Sequence, residues 1–139
     1  MASLRKKNLP NPKKSLHDAC QEGDIEAVRL AVDIHGRDLE QVDNYGCTPL
    51  LLGAREGHVG VVSFLVERGA NVDGGVLHIV CGVFDKCESV GLAIAKVLIE
   101  AGADVNATDQ RGLTPMWHAK DYQNWAIAKL LKENGATDY

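Results

Sequence analysis

Apolar residues recur along this chain at helical rather than strand spacing. Val59, Val62, Leu65 and Val66 follow one helical stripe, and Val90, Ala93, Ile94, Val97, Leu98 and Ala101 follow another. Each stripe ends in a glycine-alanine pair: FLVERGA, VLIEAGA and LLKENGA place Gly69, Gly102 and Gly135 at intervals of 33 and 33. A second phrase returns at twice that interval, since DNYGCTPLLLGA and DQRGLTPMWHAK share Asp, Gly, Thr and Pro displaced by 66. A fixed period of this size predicts stacked supersecondary units, each too small to bury its apolar face alone.

Every recurring residue has a local physical role. Thr48-Pro49 and Thr114-Pro115 supply an N-cap oxygen followed by a first-turn residue whose missing N–H leaves nothing unsatisfied. Gly57 is placed to end a first helix in the left-handed region, and Gly69, Gly102 and Gly135 are placed to end second helices.

With these phrases the chain resembles the ankyrin-repeat family. Thr48-Pro49-Leu50 and Thr114-Pro115-Met116 carry its helix-opening phrase directly, Leu16-His17-Asp18-Ala19 and Leu77-His78-Ile79-Val80 carry the second half, and DIHGRDLE is a looser helix-ending phrase. The resemblance implies an all-α fold, an ankyrin-repeat solenoid of about four helix-turn-helix repeats with short β-turn fingers. The repeats are expected at 15–42, 43–73, 74–108 and 109–139, the outer two acting as caps, after a basic, disordered tail over 1–14.

One joint breaks the pattern. Val72 to Leu77 spans 5 residues where Val105 to Met116 spans 11, so six are missing from the turn before the third repeat. Val80 to Gly102 spans 22 where Gly53 to Gly69 and Ala119 to Gly135 span 16, so six are regained inside that repeat. The expectation is a lost finger, replaced by a tight reversal at Asp73-Gly74-Gly75, and a lengthened helix-to-helix turn within CGVFDKCES that carries Phe84 outward.

Charge separates tail from body. Arg5, Lys6, Lys7, Lys13 and Lys14 face no acid within the first fourteen residues, so residues 15–139 carry 10 − 19 = −9. An acidic body disfavours nucleic acid and suits a partner with a basic patch. The tail reads as solubilising, with a nuclear address or a lipid or acidic-partner contact as alternatives. No apolar run reaches the roughly 20 residues of a membrane helix and no secretion signal opens the chain, so a cytoplasmic or also nuclear monomer is expected, its four cysteines reduced. The initiating Met and a last repeat ending at Asp138-Tyr139 suggest a complete small protein.

No dinucleotide, phosphate-loop, zinc-protease or nucleophile-elbow motif is present, so no catalytic residue, cofactor or small-molecule substrate is assigned. His78, Cys81 and Cys87 form the best metal candidate but lack a fourth ligand. The spacing in LIEAGADVN resembles the acceptor of asparaginyl hydroxylases that act on such repeats, which marks Asn106, with turn stabilisation as its ordinary role.

The expected function is a non-enzymatic protein-interaction module, acting as scaffold, adaptor or inhibitor. The resemblance places the binding strip on the finger tips and first helices: Gln21 and Glu22, Asn44 and Tyr45, Arg55 and Glu56, Gln110 and Arg111, Asp121 and Tyr122, with Phe84 beside them. The alternative is an adaptor subunit or terminal piece of a larger enzyme complex, with a metal site at His78, Cys81 and Cys87 as a distant third.

Overall fold

The computed structural model describes residues 14–73, 75–83 and 88–137. Eight α-helices are found among them: α1 (Leu16–Glu22), α2 (Ile25–Arg29), α3 (Pro49–Arg55), α4 (Val59–Glu67), α5 (Val76–Val83), α6 (Glu88–Glu100), α7 (Pro115–Asp121) and α8 (Trp125–Glu133). They pair as four antiparallel hairpins. The first helices α1, α3, α5 and α7 pack in sequence as one layer, and α2, α4, α6 and α8 pack in sequence as the other. The core lies between them, with Val28, Leu65, Ile94, Leu98, Ile127 and Leu131 fully buried.

The caps form as the sequence predicts. Thr48 Oγ1 accepts from Leu51 N–H and Thr114 Oγ1 from Trp117 N–H, each at 3.2 Å, with proline at the first helical position. Gly69, Gly102 and Gly135 follow α4, α6 and α8 in left-handed geometry. At the turn between paired helices Gly57 takes φ +81°, but its counterpart 66 residues later is Gln123, at φ +58°. A side chain in that region is strained by the clash of Cβ with the following carbonyl. Gln123→Gly is therefore expected to raise the unfolding free energy by about 0.5–1 kcal/mol after the greater chain entropy of glycine is offset; a shift of the urea midpoint to higher concentration checks this.

Two irregularities in the beat have structural outlets. Gly23 to Gly36 spans 13 residues where Gly57 to Gly69 spans 12. The extra residue is absorbed by a π turn over Leu30–Ile34 that continues α2, with His35 N–H donating to Leu30 O at 3.1 Å. In the third repeat α5 and α6 have 8 and 13 residues where α3 and α4, or α7 and α8, have 7 and 9. Five of the six regained residues are thus helical. This corrects the expected lengthened turn: the apolar stripe from Val90 favours helix, and α6 simply starts earlier. Phe84, Cys87 and the basic tail over 1–13 lie outside the described residues.

A hydrogen-bond ladder joins successive repeats on the 33-residue beat. Glu40 accepts from Asn71 N–H at 2.9 Å, Asp73 from Asp104 N–H at 3.2 Å, and Asn106 from Thr137 N–H at 2.8 Å. Each rung is preceded by a local turn in which Asp38, Asn71 or Asp104 accepts from the N–H two residues on. The ladder runs unbroken past the joint that lacks a finger. On the second-helix layer the Arg68 guanidinium grips Asp33 at 2.9 and 3.1 Å and lies 4.4 Å over the Phe64 ring.

Candidate functional site

Among the described residues two fingers project from the stack, one before α3 and one before α7, each folded by a single aspartate. Asp43 Oδ1 accepts from Tyr45 N–H at 2.8 Å and Cys47 N–H at 2.9 Å; Asp109 Oδ1 accepts from Arg111 and Leu113 N–H, both at 2.9 Å. Backbone bonds from Asp43 N–H to Cys47 O and from Asp109 N–H to Leu113 O close the same turns. These donors favour the ionised carboxyl. The Cys47 N–H holds Asp43 below the ordinary carboxylate range, and at Asp109 the Leu113 N–H, followed by His118, lowers it to about 2.

His118 pins the second of these fingers to its helix, its Nε2 lying 2.9 Å from Asp109 Oδ2. The position 66 residues earlier is Leu52, so the finger before α3 has no such pin. Two other histidines tie first helices to the end of their own repeat. His17 Nε2 reaches Gln41 O and His78 Nε2 donates to Ala107 O at 2.8 Å, each from a first helix to the strip that leads into the next finger. His58, on the turn before α4, reaches back to Gln21 O at 3.0 Å.

Two grooves lie between first helices and fingers. One, of about 560 Å³, runs beside α1 and is lined by His17, Asp18, Gln21, Asn44 and Tyr45 among others. The other, of about 730 Å³, runs beside α5, where no finger precedes the helix. Its floor is Gly75, Ile79 and Gly82, its wall Ala107 to Arg111, and His118 and Tyr122 line its far side.

The expected binding strip is divided between them. Gln21, Asn44 and Tyr45 line the first groove, and Gln110, Arg111 and Tyr122 line the second. Tyr45 is 91% exposed at its finger tip, and Arg111 lies 5.9 Å over the Trp117 ring. Glu22, Arg55, Glu56 and Asp121 line neither groove; Glu22 is paired with Lys14, and Arg55 contacts Glu56 at 3.4 Å. Sequence reasoning missed Gly75, Ile79 and Gly82, whose signal was the absent finger that leaves their helix face open.

Of the metal candidates, His78 is bonded to Ala107 O, burial pushes the Cys81 thiol up to about 12, and Cys87 lies outside the described residues. Among the described residues no group of three His, Cys, Asp or Glu side chains could hold a metal ion. Asn106 is committed on both sides of its amide, with Nδ2 donating to Gly135 O at 3.1 Å and Oδ1 accepting from Thr137. No described helix is long and apolar enough to cross a membrane.

A family model described as ankyrin repeats, three copies, matches residues 2–74. Among curated proteins, an ankyrin repeat and KH domain-containing protein of Caenorhabditis briggsae is 31% identical over 126 residues, 88% of this chain and 5% of its own length. The E3 ubiquitin-protein ligase KEG of Arabidopsis thaliana is 30% identical over 97% of this chain and 8% of its own. The scaffold protein ILK of Homo sapiens is 44% identical over 54 residues, 39% of this chain and 12% of its own. The chain thus spans between 5% and 12% of the length of these relatives.

Proposed function

This chain belongs to the ankyrin-repeat family, and from that premise we propose that it is a non-enzymatic module that binds a partner protein through its concave finger and first-helix face. The observation that carries the reading is the pair of grooves flanked by fingers whose backbones are fixed by Asp43 and Asp109. Fingers locked before contact lose little ordering entropy on association. Their tips offer Tyr45 and Arg111, residue types that dominate interface energetics. The acidic body favours a partner with a basic patch, which speeds encounter at low salt.

The module acts as scaffold, adaptor or inhibitor, as a monomer in the cytoplasm or nucleus. A second reading, an adaptor piece of a larger assembly, is favoured by the relatives, each many times longer than the segment it shares with this chain.

Capture of partners from native lysate tests the proposal. Tyr45→Ala and Arg111→Ala are each expected to weaken the captured complex about tenfold or more, with helical content unchanged. Capture indifferent to both substitutions, separately and together, would remove the finger face as the binding surface.

A further inference from the structure

The fourth-repeat finger is seated on the first helix that follows it, through Asp109 against His118 and through Arg111 over the Trp117 ring. Cys47 and Leu113, the last finger residues before Thr48 and Thr114, are half-buried, directly after the glycine that turns each finger. Before α5 only Asp73, Gly74 and Gly75 stand between buried Val72 and the helix. The groove of about 730 Å³ beside α5 opens at that joint, and its wall is the intact fourth-repeat finger.

The surface left open is built for a peptide backbone rather than for a bulky surface. Gly75 and Gly82 leave the floor without side chains, and a Cβ at Gly75 would meet nothing within 4 Å. Half-buried Ile79 lies between them, and Tyr122 closes the end, 3.0 Å from where a Cβ on Gly82 would stand. His78 adds an unmet polar requirement. His78 Nε2 donates to Ala107 O, whereas Nδ1 is buried with no hydrogen-bond partner in a residue 8% exposed. The wall cannot shift away to close the space, since His118 and Asp109 fix it to α7.

We infer that the gap before α5 is filled in trans by a β-turn of the partner protein, which seats against α5 as the fourth-repeat finger seats against α7. The occupant is finger-like: a tight turn with a glycine, followed by one aliphatic side chain that covers Ile79 beside the Tyr122 ring. This rests on the reading of the finger face as the binding surface and names what that face accepts at one point.

A synthetic occupant makes the inference testable without the partner. A disulfide-cyclised peptide carrying this chain's own finger, residues 107–114 (ATDQRGLT), is titrated into the isotope-labelled full chain and followed by amide shifts. The expected result is saturable shifts confined to Gly75, Ile79, Gly82 and the facing finger, with a Kd of about 1 mM or tighter. The same peptide with aspartate in place of its leucine is expected to bind at least tenfold more weakly. A variant of the full chain in which Asp73–Val76 is replaced by the ten residues Asn106–Pro115 has its gap filled covalently, and is expected to lose the shifts while keeping its helical circular dichroism. No saturation, shifts centred on the groove beside α1, or equal binding by the gap-filled chain each overturn the inference. Such a failure, with Tyr45 and Arg111 still required for partner capture, removes the gap and leaves the wider face standing.

Discussion

Replacing Leu98 by alanine is expected to lower the unfolding free energy by about 2–5 kcal/mol, a large share of the roughly 5–15 kcal/mol that holds a domain of this size together. Leu98 is fully buried in α6, the long second helix of the third repeat, and α6 packs against α4, α5 and α8. The substitution loses the transfer free energy of the removed carbons and leaves a cavity that the backbone of a stacked repeat cannot collapse to fill. Its position adds a second consequence. Stability in a repeat stack is a sum of unit and neighbour contributions, so weakening the third unit also loosens the fourth from the second. Urea unfolding is then expected to show a lower midpoint and a broadened transition. Lys96→Ala, on the exposed side of the same helix, is the control and should stay within about 0.5 kcal/mol of the parent. A Leu98→Ala protein as stable as that control would mean that the two layers do not pack as described.

The fold was legible because its signals repeat. A threonine-proline pair, a closing glycine and an apolar stripe each state a local preference, and agreement at intervals of 33 makes their joint meaning hard to mistake. What escaped was information carried by length or by residue class rather than by identity. The one-residue excess between Gly23 and Gly36 is visible in the numbering, but only coordinates show that it becomes a π turn. The rungs at Glu40, Asp73 and Asn106 are three different residues with one common property, a side-chain acceptor of suitable reach, so no identity search marks them. The six residues regained in the third repeat sit next to a stripe already read as helical from Val90, and the propensity of that segment decided where they went. His118 had no assignable role in the sequence because its partner, Asp109, lies in the finger nine residues earlier, where the same carboxyl also folds the turn. Of the binding strip, the finger tips were legible from the turn phrase, whereas Ile79 and its flanking glycines matter only because something beside them is missing.

Gly23→Ala is expected to cost about 2–3 kcal/mol, although it adds a single methyl group to a turn. Gly23 closes α1 at φ +74°, so any side chain there carries the left-handed strain of roughly 1–2 kcal/mol. The remaining cost comes from the neighbouring repeat. A Cβ at this site would stand 2.6 Å from His58 Nδ1 and 2.7 Å from Cε1, closer than real atoms approach, so the ring must move. Moving it breaks the 3.0 Å bond from His58 Nε2 to Gln21 O, which joins the turn before α4 to the end of α1. Strain and lost contact are separable by a double-mutant cycle. In a His58→Ala background the methyl group meets no ring, and Gly23→Ala should then cost only its backbone strain. The coupling between the two substitutions is expected at about 1 kcal/mol, read from urea midpoints of the parent, both single variants and the double variant. Additive costs would show that the ring yields freely and that this contact does not hold the first repeat against the second. A measurable coupling places the alignment of α1 with α3, and hence the shape of the groove beside Gln21 and Tyr45, under the control of one imidazole and the glycine that makes room for it.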